Sequence, residues 1–274
     1  MTTTFSPPAL VNPKQLGDVL RAQGYAVLDP VSFAQLAGLD LAELKDLNSQ
    51  WNALPPDTYL KDGGRYRRRR HSCFVVEGAQ VTQVTHRPHW QPVEYNALHG
   101  GMQRWFEPMP PGMVAEGAWR QLLVWLGAVA TQHVLDEGAL HHGELQRAES
   151  RPGESRPGES RPGESHQPSP ASPWYVEAHQ FRIDTTDGIG RPTPEGAHRD
   201  GVDLVAVFMV DRAGIKGGET RVFDATGPNG QRFTLTQSWS LLLLDDARVI
   251  HESTPIQPTG RSGESGHRDT LVVT

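Results

Sequence analysis

Glu195-Gly-Ala-His198-Arg-Asp200-Gly201 runs directly into the apolar segment 202–210, and a lone His251 follows a second apolar run. In extended chain, residues i and i+2 share a face, so His198 and Asp200 project together while Arg199 turns away. Beyond Gly201 the chain alternates apolar runs with turns. Leu204-Val-Ala-Val-Phe-Met-Val210 has the composition of a buried strand, 211–218 is turn-rich and ends in Gly217-Gly218, and Glu219 to Asp224 is a further short strand. Ser238-Trp-Ser-Leu-Leu-Leu-Leu244 is a third run, closed by Asp245-Asp246, after which the chain returns to His251; Arg268-Asp-Thr-Leu-Val-Val-Thr274 is the last predicted strand. With Gly 28 and Pro 22 in 274 residues, turns are frequent enough for an all-β barrel or jelly roll.

Two histidines and a carboxylate, His198, Asp200 and His251, can hold one face of an octahedral ion and would leave the opposite positions open. That arrangement is the facial triad of non-haem Fe(II) oxygenases. An iron dioxygenase that uses a 2-oxoacid also needs a fixed cation for the acid's remote carboxylate, and arginine binds carboxylates bidentately. Arg268 on the strand after His251 is that candidate, with Thr270 two residues on as a hydroxyl on the same face; Arg261 is a second cation in the region. Two alternatives use the same residues. A zinc hydrolase needs three protein ligands and an open position, and a cupin-like binding or stress-response module needs a pocket without an oxidant.

The region from His179 to Thr274 resembles the 2-oxoglutarate/Fe(II)-dependent dioxygenases, more narrowly the small bacterial branch containing L-isoleucine 4-hydroxylase-like free-amino-acid dioxygenases. The matching pieces are His179-Gln-Phe-Arg182, His198-Arg-Asp-Gly201, Gly217-Gly-Glu-Thr220, Asp245-Asp-Ala-Arg-Val-Ile-His251 and Gly266-His-Arg-Asp-Thr-Leu-Val-Val-Thr274, with Arg65-Tyr-Arg-Arg-Arg-Arg70 and Tyr95-Asn-Ala-Leu-His-Gly-Gly101 upstream. The resemblance implies a mainly β, double-stranded β-helix core with buttressing N-terminal and central helices, in one domain over 1–274. It also implies Fe(II), 2-oxoglutarate and O2, with succinate and CO2 released, and a small substrate such as a free aliphatic L-amino acid. Within the arginine run, strand alternation turns Arg67 or Arg69 toward a substrate carboxylate, the alternative being a solvated or ion-paired edge. His179 and Arg182 are candidates either for the pocket lining or for structural roles.

A net charge of -6 argues against a dedicated nucleic-acid partner. The single cysteine, Cys73, excludes an internal disulfide and is expected to be a small buried hydrophobe. The N-terminus lacks the features of a signal peptide and no run is long enough to span a bilayer, so a cytoplasmic protein without membrane contact is expected. Helical spacing predicts helices over 13–23, 32–48 and 118–135, with a short strand at Gly24-Tyr-Ala-Val-Leu28. His141-His142 invites a metal reading, but adjacent residues diverge and exposure is expected. The perfect triple repeat of Arg-Pro-Gly-Glu-Ser over 151–165 forms neither helix nor sheet and predicts a flexible insertion at about 149–172. Oligomeric state is left open.

Overall fold

A computed structural model describes residues 13–149, 172–260 and 265–274, without the side chains of 13–14 and 137–149. The repeat, Arg261 and the side chains of His141 and His142 lie outside the described residues. Along the chain, α1 (Pro13–Gln23) leads to β1 (Tyr25–Leu28), α2 (Pro30–Ala37), α3 (Leu41–Asp46) and a 3-10 turn over Leu47–Trp51. β2 (Arg67–Glu77) and β3 (Gln80–Gln83) form a hairpin, followed by α4 (Pro111–Ala115), α5 (Gly117–Glu149) and β4 (Trp174–Asp184). The second half contributes β5 (Leu204–Ala213), β6 (Ile215–Gly217), β7 (Thr220–Asp224), β8 (Gly230–Phe233), β9 (Ser240–Asp245), β10 (Val249–Ser253), β11 (Ile256–Pro258) and β12 (His267–Val273).

Seven strands pair antiparallel in the order β1-β9-β5-β12-β4-β2-β3, opposite a smaller layer made of β10-β7-β8 and β11-β6. The two layers form a double-stranded β-helix, or jelly roll. The continuous apolar runs mark strands buried on both faces. On β5 and β9, Ala206, Phe208, Val210, Leu241 and Leu243 face the helices, packing with Leu20, Phe33, Trp119, Leu122 and Leu123. The alternate residues Val205, Met209, Leu242 and Leu244 pack inward against Val222, Phe233 and Val249 of the smaller layer. Burial on both sides removes the polar alternation that a one-sided strand would show.

The helix expected over 32–48 is two helices and a 3-10 turn. Gly38 takes a left-handed φ of 64° as the C-cap of α2, and Asp40 then caps α3 by accepting from Ala42 N–H. Asp29 caps the start of α2 by accepting from Val31 and Ser32 N–H, with Pro30 in the first turn. Gly217 (φ 82°) is required where β6 meets β11, because a Cβ there would stand 2.3 Å from the Pro255 carbonyl. Among the described residues, no helix is long and apolar enough to cross a membrane.

Phe208 is fully buried, with its ring against those of Phe33 and Trp239. Phe208→Ala is expected to destabilise the protein by about 3–5 kcal/mol, read as a lowered urea midpoint with unchanged slope.

Candidate metal and cosubstrate site

His198 and Asp200 lie in the loop that enters β5, and a single bridge joins His198 to His251 of β10. His198 N–H donates to the His251 carbonyl at 3.0 Å and His251 N–H returns to the His198 carbonyl at 2.9 Å, which sets the two imidazoles side by side. The chain turns at Gly201 (φ 79°), where a Cβ would meet the Tyr95 ring at 2.6 Å. The buried carboxylate of Asp246 fixes this turn by accepting from the N–H groups of Asp200 (3.0 Å), Gly201 (2.7 Å) and Val202 (3.2 Å). From sequence Asp246 marked only the end of a strand; its partners come from a distant loop.

His198, Asp200 and His251 each offer one donor atom, and these lie within 4.8 Å of one another. Asp200 carboxylate oxygens stand 3.9 Å from His198 Nε2 and 3.8 Å from His251 Nε2, beyond hydrogen-bond length. His198 Nδ1–H donates to the Gly196 carbonyl at 2.9 Å, which leaves the Nε2 lone pair facing Asp200. Burial holds the His251 imidazole neutral, with its pKa lowered to about 3. At His198 burial acts in the same direction, but the carboxylates of Asp200 and Glu195 outweigh it and raise the pKa. Burial raises the pKa of Asp200. Two imidazole nitrogens and one carboxylate oxygen, gathered but not bonded to each other, suit Fe(II).

Arg268 and Thr270 project from β12 into the same cavity. Arg268 is 4% exposed, its Nε has no hydrogen-bond partner, and it makes no ion pair among the described residues. Burial, followed by repulsion from Arg212, lowers its pKa to about 10. A buried guanidinium without an anion is costly, and a carboxylate ligand would satisfy it. The residues therefore fit both iron and the remote carboxylate of a 2-oxoacid.

Further along the cavity, Arg69 lies over the Phe106 ring at 3.8 Å and the Phe181 ring at 4.4 Å, and donates to His179 Nδ1 at 2.8 Å. Its Nε is unpartnered. Arg67 Nε donates to Asp57 at 2.7 Å, so its charge is already matched. Arg182 stands elsewhere: it pairs with Asp269 at 2.6 Å and does not line the cavity. Strand parity is the reason, since Arg182 is out of phase with His179 and Phe181 on β4 and faces the other side. The sequence also left out Gln91, Arg104 and Glu195. Gln91 donates to Asp200 at 3.1 Å and accepts from Arg104 at 3.0 Å. Glu195 Oε1 is 3.7 Å from His198 Nε2, while its buried Oε2 has no partner. Gln91 and Arg104 sit in a loop with no ligand-like spacing, which hid them.

Residues 48–274 match the family described as 2OG-Fe dioxygenase. The chain belongs to that family: it is a 2-oxoglutarate-dependent Fe(II) dioxygenase using Fe(II), 2-oxoglutarate and O2, which sets aside the zinc hydrolase and the binding module. A bsmA homolog from Methylobium petroleophilum PM1 is 45% identical, with a TM-score of 0.80 over 100% of this chain and 95% of that one. IDO from Bacillus thuringiensis is 12% identical, with a TM-score of 0.68 over 98% of this chain and 97% of that one. The Fe(II)/(alpha)ketoglutarate-dependent dioxygenase TqaL is 18% identical, with a TM-score of 0.62 over 95% and 85%. The last two likenesses concern the fold alone. No curated protein matches the chain.

Asp246→Ala leaves every candidate ligand in place but frees the turn that carries Asp200. Fe(II) affinity is expected to fall about 10–100-fold, measured by anaerobic equilibrium dialysis; unchanged affinity would show that the turn holds itself.

The Arg67–Asp57 pair gives a pH signature. Burial alone would raise the Asp57 pKa, but Arg67, Arg69 and the Tyr59 N–H outweigh it and hold it below the usual range. A depressed folded-state pKa contributes stability that is present above the unfolded value near ~3.9 and lost as pH falls through the folded value. Asp57→Asn is therefore expected to lower stability at neutral pH and to flatten its decline below about pH 4, checked by urea unfolding across pH.

Proposed function

We propose that this dioxygenase hydroxylates a free aliphatic L-amino acid, as in the isoleucine 4-hydroxylase-like branch. In this reading His198, Asp200 and His251 bind iron, Arg268 with Thr270 holds the far carboxylate of 2-oxoglutarate, and Arg69 with Arg104 receives the substrate carboxylate. Glu195 accepts the substrate ammonium, and His179 orients Arg69. The observation that carries the reading is one cavity of about 630 Å³ lined by the ligand triad together with Arg69, Arg104, Glu195 and Arg268. That volume suits a drug-sized ligand or two small ones. Arg69 and Arg104 each keep a buried Nε without a partner, and Glu195 a buried oxygen. Such groups are satisfied by a zwitterion with the opposite charges.

Iron, when bound, supplies the redox chemistry by which O2 oxidises both substrates. One oxygen atom enters a C–H bond of the amino acid and the other enters succinate, as 2-oxoglutarate loses CO2. The chain's own residues orient: Arg268 fixes the cosubstrate at one end, and the Arg69 region fixes the amino acid so that its side chain reaches the metal. Phe181 offers an apolar wall. A reducing cytoplasm would keep iron ferrous and Cys73 free.

A panel of aliphatic amino acids assayed for succinate release is expected to contain a substrate coupled to hydroxylation. Arg268→Ala should raise the apparent KM for 2-oxoglutarate far more than that for the amino acid, with a loss of roughly 2–5 kcal/mol for a truncated buried charge pair. Turnover with a macromolecule or lipid but with no amino acid would overturn the substrate class and leave the iron site standing.

A further inference from the structure

A second group of donor atoms lies in the fold apart from the iron triad. His71, His89, Glu177 and His179 each present one atom within 4.8 Å of the others. β2 and β4 are in register with His71 opposite His179 and Cys73 opposite Glu177, and parity turns all four toward the interior. His89 arrives on the loop after β3, fixed by mutual backbone hydrogen bonds with Arg104 at 2.9 Å each. Glu177 Oε2 stands 2.7 Å from His89 Nδ1 and 3.2 Å from His71 Nε2. A tetrahedral ion with bonds of about 2.0–2.1 Å spaces its donors roughly 3.3 Å apart; the His71–Glu177 pair is already near that spacing, and the shorter His89–Glu177 hydrogen bond would open to admit the ion.

His179 is set apart from the group because its tautomer is pinned. The Arg69 guanidinium is always a donor, so His179 Nδ1 accepts from it and the neutral ring must keep its proton on Nε2, which faces Glu177 at 3.7 Å. His71 Nε2 and His89 Nδ1 share their ring protons with Glu177, and a bound ion takes the place of those protons. The Cys73 sulfur is 3.5 Å from His71 Nε2, with Arg87 donating to it.

We propose that His71, His89 and Glu177 form a second metal site, separate from the iron triad, for a divalent ion of the zinc class. Two imidazoles and one carboxylate with an open fourth position are a zinc ligand set. His89 and Glu177 line the cavity, so that position opens into it. Arg69, Arg87 and Arg104 surround this end of the cavity and oppose a bare dication. The bound ion therefore takes an anion, a hydroxide or a carboxylate, as its fourth ligand.

The test is Co(II) titration of metal-free protein by equilibrium dialysis, with visible spectra to distinguish four-coordinate from six-coordinate metal. Wild type should bind two equivalents, one with the intense spectrum of tetrahedral cobalt. Glu177→Gln and His89→Gln should each bind one equivalent and lose that spectrum, whereas His198→Ala should bind one and retain it. Circular dichroism checks folding, and His89→Gln, on a loop, serves if the strand variant fails to fold. One equivalent in wild type, two in His89→Gln, or none in folded His198→Ala would each overturn the proposal; the first would leave Glu177 as the acceptor of a purely hydrogen-bonded cluster.

Discussion

Alternation along β2, β4 and β12 is the constraint on which the rest of the molecule depends. These strands are neighbours in the large sheet, and every second residue points to the same side. One side is apolar: Phe74, Val76, Val176, Ala178, Leu271 and Val273 close against the helices. The other side places Arg67, Arg69, Glu177, His179, Arg268 and Thr270 along one cavity. A row of charges is tolerable at such depth only because the apolar side anchors the strands. Trp51 helps to hold the sheet from behind, donating to the carbonyls of both Phe181 and Thr270 at 3.1 Å.

The cavity's electrostatics result from that arrangement. Asp57 neutralises Arg67 and Asp269 neutralises Arg182, but Arg69, Arg104 and Arg268 have no carboxylate partner among the described residues. Burial lowers the pKa of all three, which is the signature of charge held away from water without compensation. An anion arriving in the cavity would offset that cost.

Much of the scaffold was legible because it is repetitive. The leucines of β9 and the apolar run of β5 announced strands buried on both faces, and the separation of His198 and Asp200 by one residue announced a shared direction. Parity also separates His179 from Arg182: three residues apart on one strand, they face opposite sides, His179 into the cavity and Arg182 toward Asp269. What stayed hidden was carried by tertiary contact. Asp246 reaches back to a loop before β5, Gln91 arrives from the loop after β3, and the long N-terminal helix pattern broke at Gly38 because a cap at Asp40 competes with continuation. No local pattern encodes such partnerships.

The mutual backbone bonds of His198 and His251 carry a consequence for how the protein is made and lost. The two residues are distant in the chain, so they meet only after the strands between them have folded into place. Such non-local pairings are slow to form. A metal that recognises the pair binds the native state and not its precursors, so it can retard escape from the folded state without hastening arrival there. Iron would then act as a clasp on a finished barrel, and its loss in the cell would shorten the protein's lifetime as well as its activity.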